Sequence, residues 1–512
     1  MYEQFLLNLQ VRFAVGYENL GDGYFGIRTV YNFRDSLSTH MQETGENLLD
    51  KAFEQVTDEQ LRAFAIATDK QRMDSTQIAS DIRKYSRLQL VVEVLQRVER
   101  MLTPDDKIRH EELLAPYCKG KSSHYIYRLQ SNEYESNLAA IGPVMYELVN
   151  ALSTDYGDEP TYEMLVRVFG EHFILEDEAV ELLPAEKVAA TSLQSPDDPE
   201  ATFRRKNGVS YQGYVANITE TCNPDNDFQL ITKSQTESNV TDDAAMMVEA
   251  LPELAERTDI DTLCTDGGYN SPNADPVLDE YGVDHIQTAI RGGKPDPNQV
   301  SVADFTFAFN SEHELIQATC PQGQTFPIEL GRTEDRFIGR PDSDICKACL
   351  FFSRCPVRPK QQNCAPALYL NQRQILIADK RQKLDALPPH LRNLRPVVES
   401  TVRSIKHPFR QGKILLRGKF RIASSIIASA FMVNARRIHR AAQSNPTTAA
   451  SAQIMTLSNS LFGTFSSFFA LPLTSFPYLV PHLCHFSCEH HLSLPTTSTT
   501  TRPDQASSSF SY

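Results

Sequence analysis

The sequence predicts an α/β protein built on a mixed sheet, and three observations carry that prediction. From residue 209 the apolar pattern becomes that of strands: 210–220 and 228–234 are β-rich, parted by the loop sequence Cys222-Asn223-Pro224-Asp225-Asn226-Asp227. Helices and strands then alternate. A helix opened by Thr241-Asp242-Asp243, with Ala244, Met247, Val248 and Leu251 on its inner face, precedes the short run Leu263-Cys264-Thr265 that ends in Asp266. A second helix is expected from Ser271-Pro272 to about Gly282, and 283–290 reads as the next strand. The third observation is one of position. An aspartate at the end of a strand, followed at once by Gly267 and Gly268, stands where α/β sheets place their chemistry.

At 512 residues the chain has room for about three domains. Its net charge of -15 excludes a protein that coats nucleic acid over its whole surface, yet permits a local basic face. Met1-Tyr2-Glu3-Gln4 offers no basic segment before an apolar one, so no secretory signal is expected. The ten cysteines are therefore expected in a reducing compartment, where close spacing points to metal before disulfide.

Residues 1–68 read as an N-terminal helical domain interrupted at 16–23 and 38–45. Its apolar start, Phe5-Leu6-Leu7, has no cap before it and is expected to be a helix entered midway, the natural domain beginning further upstream. Residues 70–79 can form a strand carrying Asp74. Segment 81–191 is expected to be a helical insertion: Leu88, Val91, Val92, Leu95, Val98 and Leu102 make one apolar stripe, and helical material continues to about 180. Residues 192–199 are turn-rich. Together 69–80 and 192–300 form the sheet core, 301–375 a Cys-rich, zinc-ribbon-like insertion, and 376–442 the rest of the core with basic helices. Residues 441–488 contain no Asp, Glu, Lys or Arg, and Pro472, Pro477 and Pro481 argue against a membrane span there. The tail 443–512 is expected to be disordered, an extension by read-through or an altered frame.

Two constellations accompany Asp266. On a helix, Arg395, Glu399, Val402 and Lys406 fall at i, i+4, i+7 and i+11, which sets a carboxylate between two cations on one face. That pattern serves a solvated ion pair or a metal-ligating glutamate beside phosphate-holding cations. Around it, residues 391–440 contain twelve Arg or Lys and a single acid, Glu399, which reads as a nucleic-acid backbone contact. Arg403, Arg410 and Lys413 belong to this block. The other constellation is Cys320, Cys346, Cys349 and Cys355, with Cys364 as a substitute, in a spacing that suits a tetrahedral structural zinc site.

These residues resemble the DDE transposases of bacterial insertion sequences, the group with a ribonuclease-H-like catalytic core. Arg395, Glu399 and Lys406 match the family's Arg-x3-Glu-x6-Lys element, although Arg392 stands where a tyrosine often precedes it. Asp266-Gly267-Gly268-Tyr269 is similar to the second catalytic aspartate's motif, and Met73-Asp74-Ser75-Thr76 to the first, with Asp198 as the rival first carboxylate. Val30-Tyr31-Asn32-Phe33-Arg34 lies in a segment similar to the family's helical domain. The likeness spans about residues 5–442.

The resemblance implies that Asp74, Asp266 and Glu399 hold two Mg²⁺ or Mn²⁺ ions, hard cations that prefer carboxylate oxygens. It implies cutting at the inverted repeats of the transposon ends and joining to target double-stranded DNA, with Arg395 and Lys406 on phosphates. A homodimer on DNA and a cytoplasmic, nucleoid-associated location follow from the same likeness. The alternatives are a DNA-binding descendant that no longer cuts and a ribonuclease-H-like nuclease outside transposition.

Overall fold

In order, the chain forms β1 (Lys70–Ala79), the hairpin β2 (Phe173–Glu176) and β3 (Ala179–Leu182), β4 (Thr202–Lys206), β5 (Val209–Thr221), β6 (Ile231–Ser238), β7 (Thr262–Thr265) and β8 (Asp284–Gln287). β1 lies between β5, antiparallel, and β7, parallel. β4 and β6 add to β5 as antiparallel neighbours, and β8 adds to β7 in parallel. The sheet is thus mixed, as the order of elements predicts. This computed structural model describes residues 2–444 apart from 10–11, 13–16, 18–22, 177–178, 207, 272, 288–295, 297, 311–314, 332–335, 360–364, 390–393 and 410–412. Arg392, Arg410, Cys364 and the tail from 445 lie outside the described residues.

The alternation of a strand explains how β1 organises both layers. Arg72, Asp74, Thr76 and Ile78 face one side; Gln71, Met73 and Ser75 face the other. Ile78 joins Ile405, Ile422, Ile426 and Ala430 in a core supplied by the helices Val398–Lys406 and Lys419–Ser444. Met73 instead packs with Met247, Leu251 and Leu254 of the helix Asp243–Arg257. The N-terminal helix Leu48–Ala63 docks on the same body. Phe53 enters the first core, and Arg257 Nη2 donates to Asp58 Oδ1 at 2.7 Å.

The helical insertion has its own core. Ser86 caps the helix Arg87–Met101, whose stripe of Leu88, Val91, Val92, Leu95 and Val98 is buried against Ile141, Met145 and Leu165 of the following helices. Two expectations are corrected. Helical structure stops at His172 rather than near 180, because 173–182 alternates and folds back as β2–β3. The polar stretch 38–45 does not interrupt a helix; Ile27–Thr44 runs through it and ends at Gly45, whose φ of 75° suits glycine. The Cys-rich insertion 301–375 has a sheet of its own. It forms an antiparallel sheet of β9 (Thr306–Phe309), β10 (Leu315–Thr319), β11 (Thr325–Leu330), β12 (Arg336–Gly339), β13 (Arg358–Pro359) and β14 (Pro366–Asn371), because alternate residues such as Phe326 and Ile328 are apolar and buried. Among the described residues no helix is long and apolar enough to cross a membrane.

One buried carboxylate ties the layers together. Glu220 of β5 is fully buried and lies directly opposite Arg72 of β1, whose Nε donates to Glu220 Oε1 at 2.7 Å. Thr401 Oγ1 donates to the same carboxylate at 2.8–2.9 Å, and Arg437 Nη1 to its other oxygen at 2.7 Å. Arg72 also donates from Nη1 to the carbonyl of Leu394 at 2.9 Å. Removing one member of a buried ionic group leaves the others charged and unpaired, at a cost of about 3–5 kcal/mol. Glu220→Ala is therefore expected to lower unfolding stability in urea by that amount. A change below about 1 kcal/mol, the level of an exposed pair, would show that the group does not hold the layers.

Candidate active site

Asp266 follows β7, and the register of the sheet decides what stands beside it. Lys70 pairs with Thr262, Gln71 with Leu263 and Arg72 with Cys264 in parallel. Continued by two residues, the same register sets Asp74 level with Asp266 on neighbouring strands. Behind Asp266 the chain turns at once through the 3₁₀ turn Gly267–Tyr269, and Asp266 Oδ1 accepts the Gly268 N–H at 2.7 Å. Gly268 is required by close approach rather than by its φ. A Cβ there would stand 2.7 Å from Asp266 Oδ1 and 2.9 Å from Asp243 Oδ2. Tyr269, fully buried, donates its hydroxyl to Asn217 Oδ1 of β5 at 2.7 Å and fixes the turn to the sheet. Lys380, from the helix Gln372–Ala386, holds the far side by donating to Asn270 and Asp275 at 2.9 and 2.8 Å.

The third acid arrives on the helix Val398–Lys406, which buries Val398, Thr401 and Ile405 against the sheet and leaves Glu399 half exposed. Arg395 is not on that helix as the spacing suggests. Pro396 lacks an N–H, and Arg395–Val397 forms a 3₁₀ turn leading into it. The guanidinium nevertheless reaches all three acids. Nη2 donates to Asp74 Oδ1 at 2.9 Å and lies 3.9 Å from Asp266 Oδ2, while Nη1 donates to Glu399 Oε1 at 3.0 Å. Burial raises the pKa of Asp74, Arg395 opposes that rise, and Asp266 adds to it. Burial works against the charge of Arg395, but Asp74, Asp266 and Glu399 outweigh it and hold its pKa above the ordinary value.

Asp198, the rival first carboxylate, is instead buried where Tyr214 donates to its Oδ1 at 2.5 Å. The structure brings Asp74, not Asp198, to Asp266 and Glu399. Among the described residues, no group of three or more His, Cys, Asp or Glu side chains stands in metal-holding geometry. At the carboxylates, the positive charge at the point of convergence belongs to Arg395.

Several cations of the basic block are engaged within the protein. Lys406 turns inward, donating to Thr76 Oγ1 and the Gln77 carbonyl at 3.1 and 3.2 Å, and burial lowers its pKa. Lys413 pairs with Asp81 at 2.9 Å, Arg417 with Asp197 at 3.4 Å and Lys419 with Glu237 at 2.7 Å. Arg403 is exposed. The local excess of positive charge counted along the sequence is therefore larger than the excess presented to solvent.

Cys355, Cys320 and Cys349 neighbour Cys346 in the second sheet's region. Cys320, Cys346 and Cys355 pack on the same apolar cluster, and the Cys346 N–H and Cys349 N–H lie in one turn system. Burial, then the neighbouring Cys355, Cys320 and Cys349, push the Cys346 thiol up to about 11.

Two site residues escaped sequence reasoning. Asp243 reads as a helix-opening charge, yet it is buried and accepts the Ser75 hydroxyl at 2.8 Å beside Asp74. Glu220 is a lone acid in the strand segment Ile218-Thr219-Glu220-Thr221; an acid inside a strand that must be buried on both faces was the available signal. Comparison of the chain with protein-family models, curated proteins and solved structures finds no match.

His285 supports β7 from β8, its Nε2 lying 2.7 Å from Thr265 Oγ1. Burial and then Lys380 lower its pKa from 6.5 to about 3. The folded protein keeps it neutral, so the unfolded chain takes up the proton first. Its contribution is complete above pH 6.5 and is lost as pH falls toward about 3. His285→Gln cannot take up that proton, and the fall of Tm on acidification from pH 6.5 is expected to be shallower than in the wild type. Parallel Tm–pH curves would rule this out.

Proposed function

We propose that this chain is a DDE-type DNA transposase of an insertion sequence, with a ribonuclease-H-like core, that cuts transposon ends and joins them to target DNA. One observation carries the reading. Three acids far apart in sequence, each in a motif that resembles a separate catalytic element, meet at one guanidinium. The mixed sheet, with Asp74 and Asp266 level on adjacent strands and Glu399 on a helix packed across β1, supports it.

The donor set fits Mg²⁺ or Mn²⁺, since carboxylate oxygens are the ligands hard divalent cations prefer. Asp74, Asp266 and Glu399 would hold two such ions, which supply activation of the attacking oxygen and neutralisation of the leaving one in phosphoryl transfer. Asp266 is held for this role by the Gly268 N–H. Asp74 is fixed by β1, and Glu399 by the burial of Val398, Thr401 and Ile405. Arg395 and exposed Arg403 would meet phosphates of double-stranded DNA, including the inverted repeats and the target. Action as a homodimer on DNA, in the bacterial cytoplasm at the nucleoid, belongs to the same proposal. A second reading, a DNA-binding descendant that no longer cuts, is favoured by the guanidinium of Arg395 standing against all three acids.

A strand-transfer assay separates the two. The wild type is expected to cut and join duplexes carrying the repeats that flank its coding sequence in Mg²⁺, and Asp266→Asn to lose at least about 10²-fold in rate, the scale of losing one charge-stabilising group. Cleavage by Asp266→Asn at the wild-type rate would overturn the proposal, and DNA binding without any cleavage would select the second reading.

The four cysteines fit a structural zinc ion by donor type, because gathered thiols become good ligands once deprotonated. Zinc measured by elemental analysis is expected in the purified wild type and to be lost in Cys346→Ser/Cys349→Ser, with a lower Tm. Structural zinc sites contribute roughly 10–16 kcal/mol of binding energy. Equal zinc content in both proteins would exclude the site.

A further inference from the structure

Among the described residues, Arg395 is held by carboxylates alone. Its Nη2 lies 2.9 Å from Asp74 Oδ1 and 3.9 Å from Asp266 Oδ2, and its Nη1 3.0 Å from Glu399 Oε1. Its Nε is buried with no hydrogen-bond partner. Among the described residues, no carbonyl or hydroxyl therefore anchors the fork where it is. The backbone allows it to leave: Arg395 stands in the 3₁₀ turn before the helix that carries Glu399, so its side chain can swing without unwinding that helix. A way out exists as well, because the Glu399 side chain, at 51% exposure, faces solvent.

The charges make this position incompatible with cations held by the same three acids. Three carboxylates and one guanidinium sum to two negative charges, so some cation is still attracted. A divalent ion bound to those oxygens would nevertheless stand against a fixed positive group a few ångströms away, with little water between them to screen it. A guanidinium released from carboxylates also has an obvious next partner, since its planar fork fits a phosphate in the same bidentate manner.

We infer that Arg395 is a resident counter-ion of the site: without divalent cations it offsets part of the charge of Asp74, Asp266 and Glu399, and it moves to a DNA phosphate when those acids take up metal. This rests on the reading of the three acids as metal ligands. Metal and DNA then share one switch, and linkage requires each to strengthen the binding of the other. The protein is kept from loading metal fully until DNA is present to accept the arginine.

The test measures Mn²⁺ binding to the full chain by electron paramagnetic resonance, without DNA and with a duplex carrying the flanking repeats. Without DNA, Arg395→Gln is expected to bind Mn²⁺ on the order of tenfold more tightly than the wild type, a typical coupling factor. The duplex is expected to tighten Mn²⁺ binding in the wild type by a similar factor and to have no such effect in the variant. If Arg395→Gln does not fold, as judged by circular dichroism, Arg395→Lys takes its place. A single ammonium cannot span three carboxylates, so tighter binding than in the wild type is expected there too. Asp74→Asn and Asp266→Asn separate the two levels of the argument. If they bind Mn²⁺ as the wild type does, the metal reading itself fails. If they lose Mn²⁺ while the Arg395 variant binds it no more tightly than the wild type, or the duplex tightens both equally, the counter-ion role alone is overturned.

Discussion

The carboxylate of Glu220 sits at the junction on which the rest of the architecture depends. It receives Arg72 from the central strand, Thr401 from the Glu399 helix and Arg437 from the last helix. A carboxylate removed from water is tolerable only with such partners, because its desolvation would otherwise cost several kcal/mol. The geometry that satisfies it therefore selects the positions of three elements at once. Apolar contacts around Ile405 and Ile426 would allow the helices to slide; a carboxylate with defined acceptor directions does not. Two residues along β1 from Arg72 stands Asp74, and two residues back along the helix from Thr401 stands Glu399. The clamp thus fixes two of the three acids without touching either.

The third acid is set by register rather than by charge. Parallel pairing of Arg72 with Cys264 leaves Asp266 beside Asp74, and a slip of one residue would turn it to the opposite face. Gly268 allows the chain to turn away without displacing the carboxylate, and Asp243 closes on the same glycine from the other layer. The carboxylates therefore stand at the meeting of two layers, each with its own apolar core.

Much of this was legible in the sequence, and the reasons differ by element. The stripe from Leu88 to Leu102 and the apolar face of the last helix are local patterns, so period alone predicts them. Asp74, Asp266 and Glu399 carried short motifs with turn chemistry or helical spacing, which is local information as well. Glu220 and Asp243 could not be ranked in the same way. Their importance comes from groups such as Arg437, which is 217 residues from Glu220, and no local pattern encodes that distance. The second sheet was obscured for a different reason. Its strands are short and broken by prolines and turns, and the alternation at Phe326 and Ile328 extends over too few residues to stand out. The internal use of Lys406 and Lys413 is invisible to a count of charges, because a count cannot see Thr76 or Asp81 across the fold.

The distance between Glu220 and its second arginine also imposes an order in time. During synthesis β5 leaves the ribosome long before Arg437 is made, a gap of 217 residues. At about 5–20 residues per second that is roughly ten to forty seconds. Over the first 181 residues of that gap Glu220 has Arg72 for company but neither Thr401 nor Arg437, and only then is the Glu399 helix made. The sheet can pair early, while its carboxylates come together last. A chain that ends just before the final helix carries the strands and all three acids, but lacks Arg437, which holds Thr401 and so the third acid's helix in place.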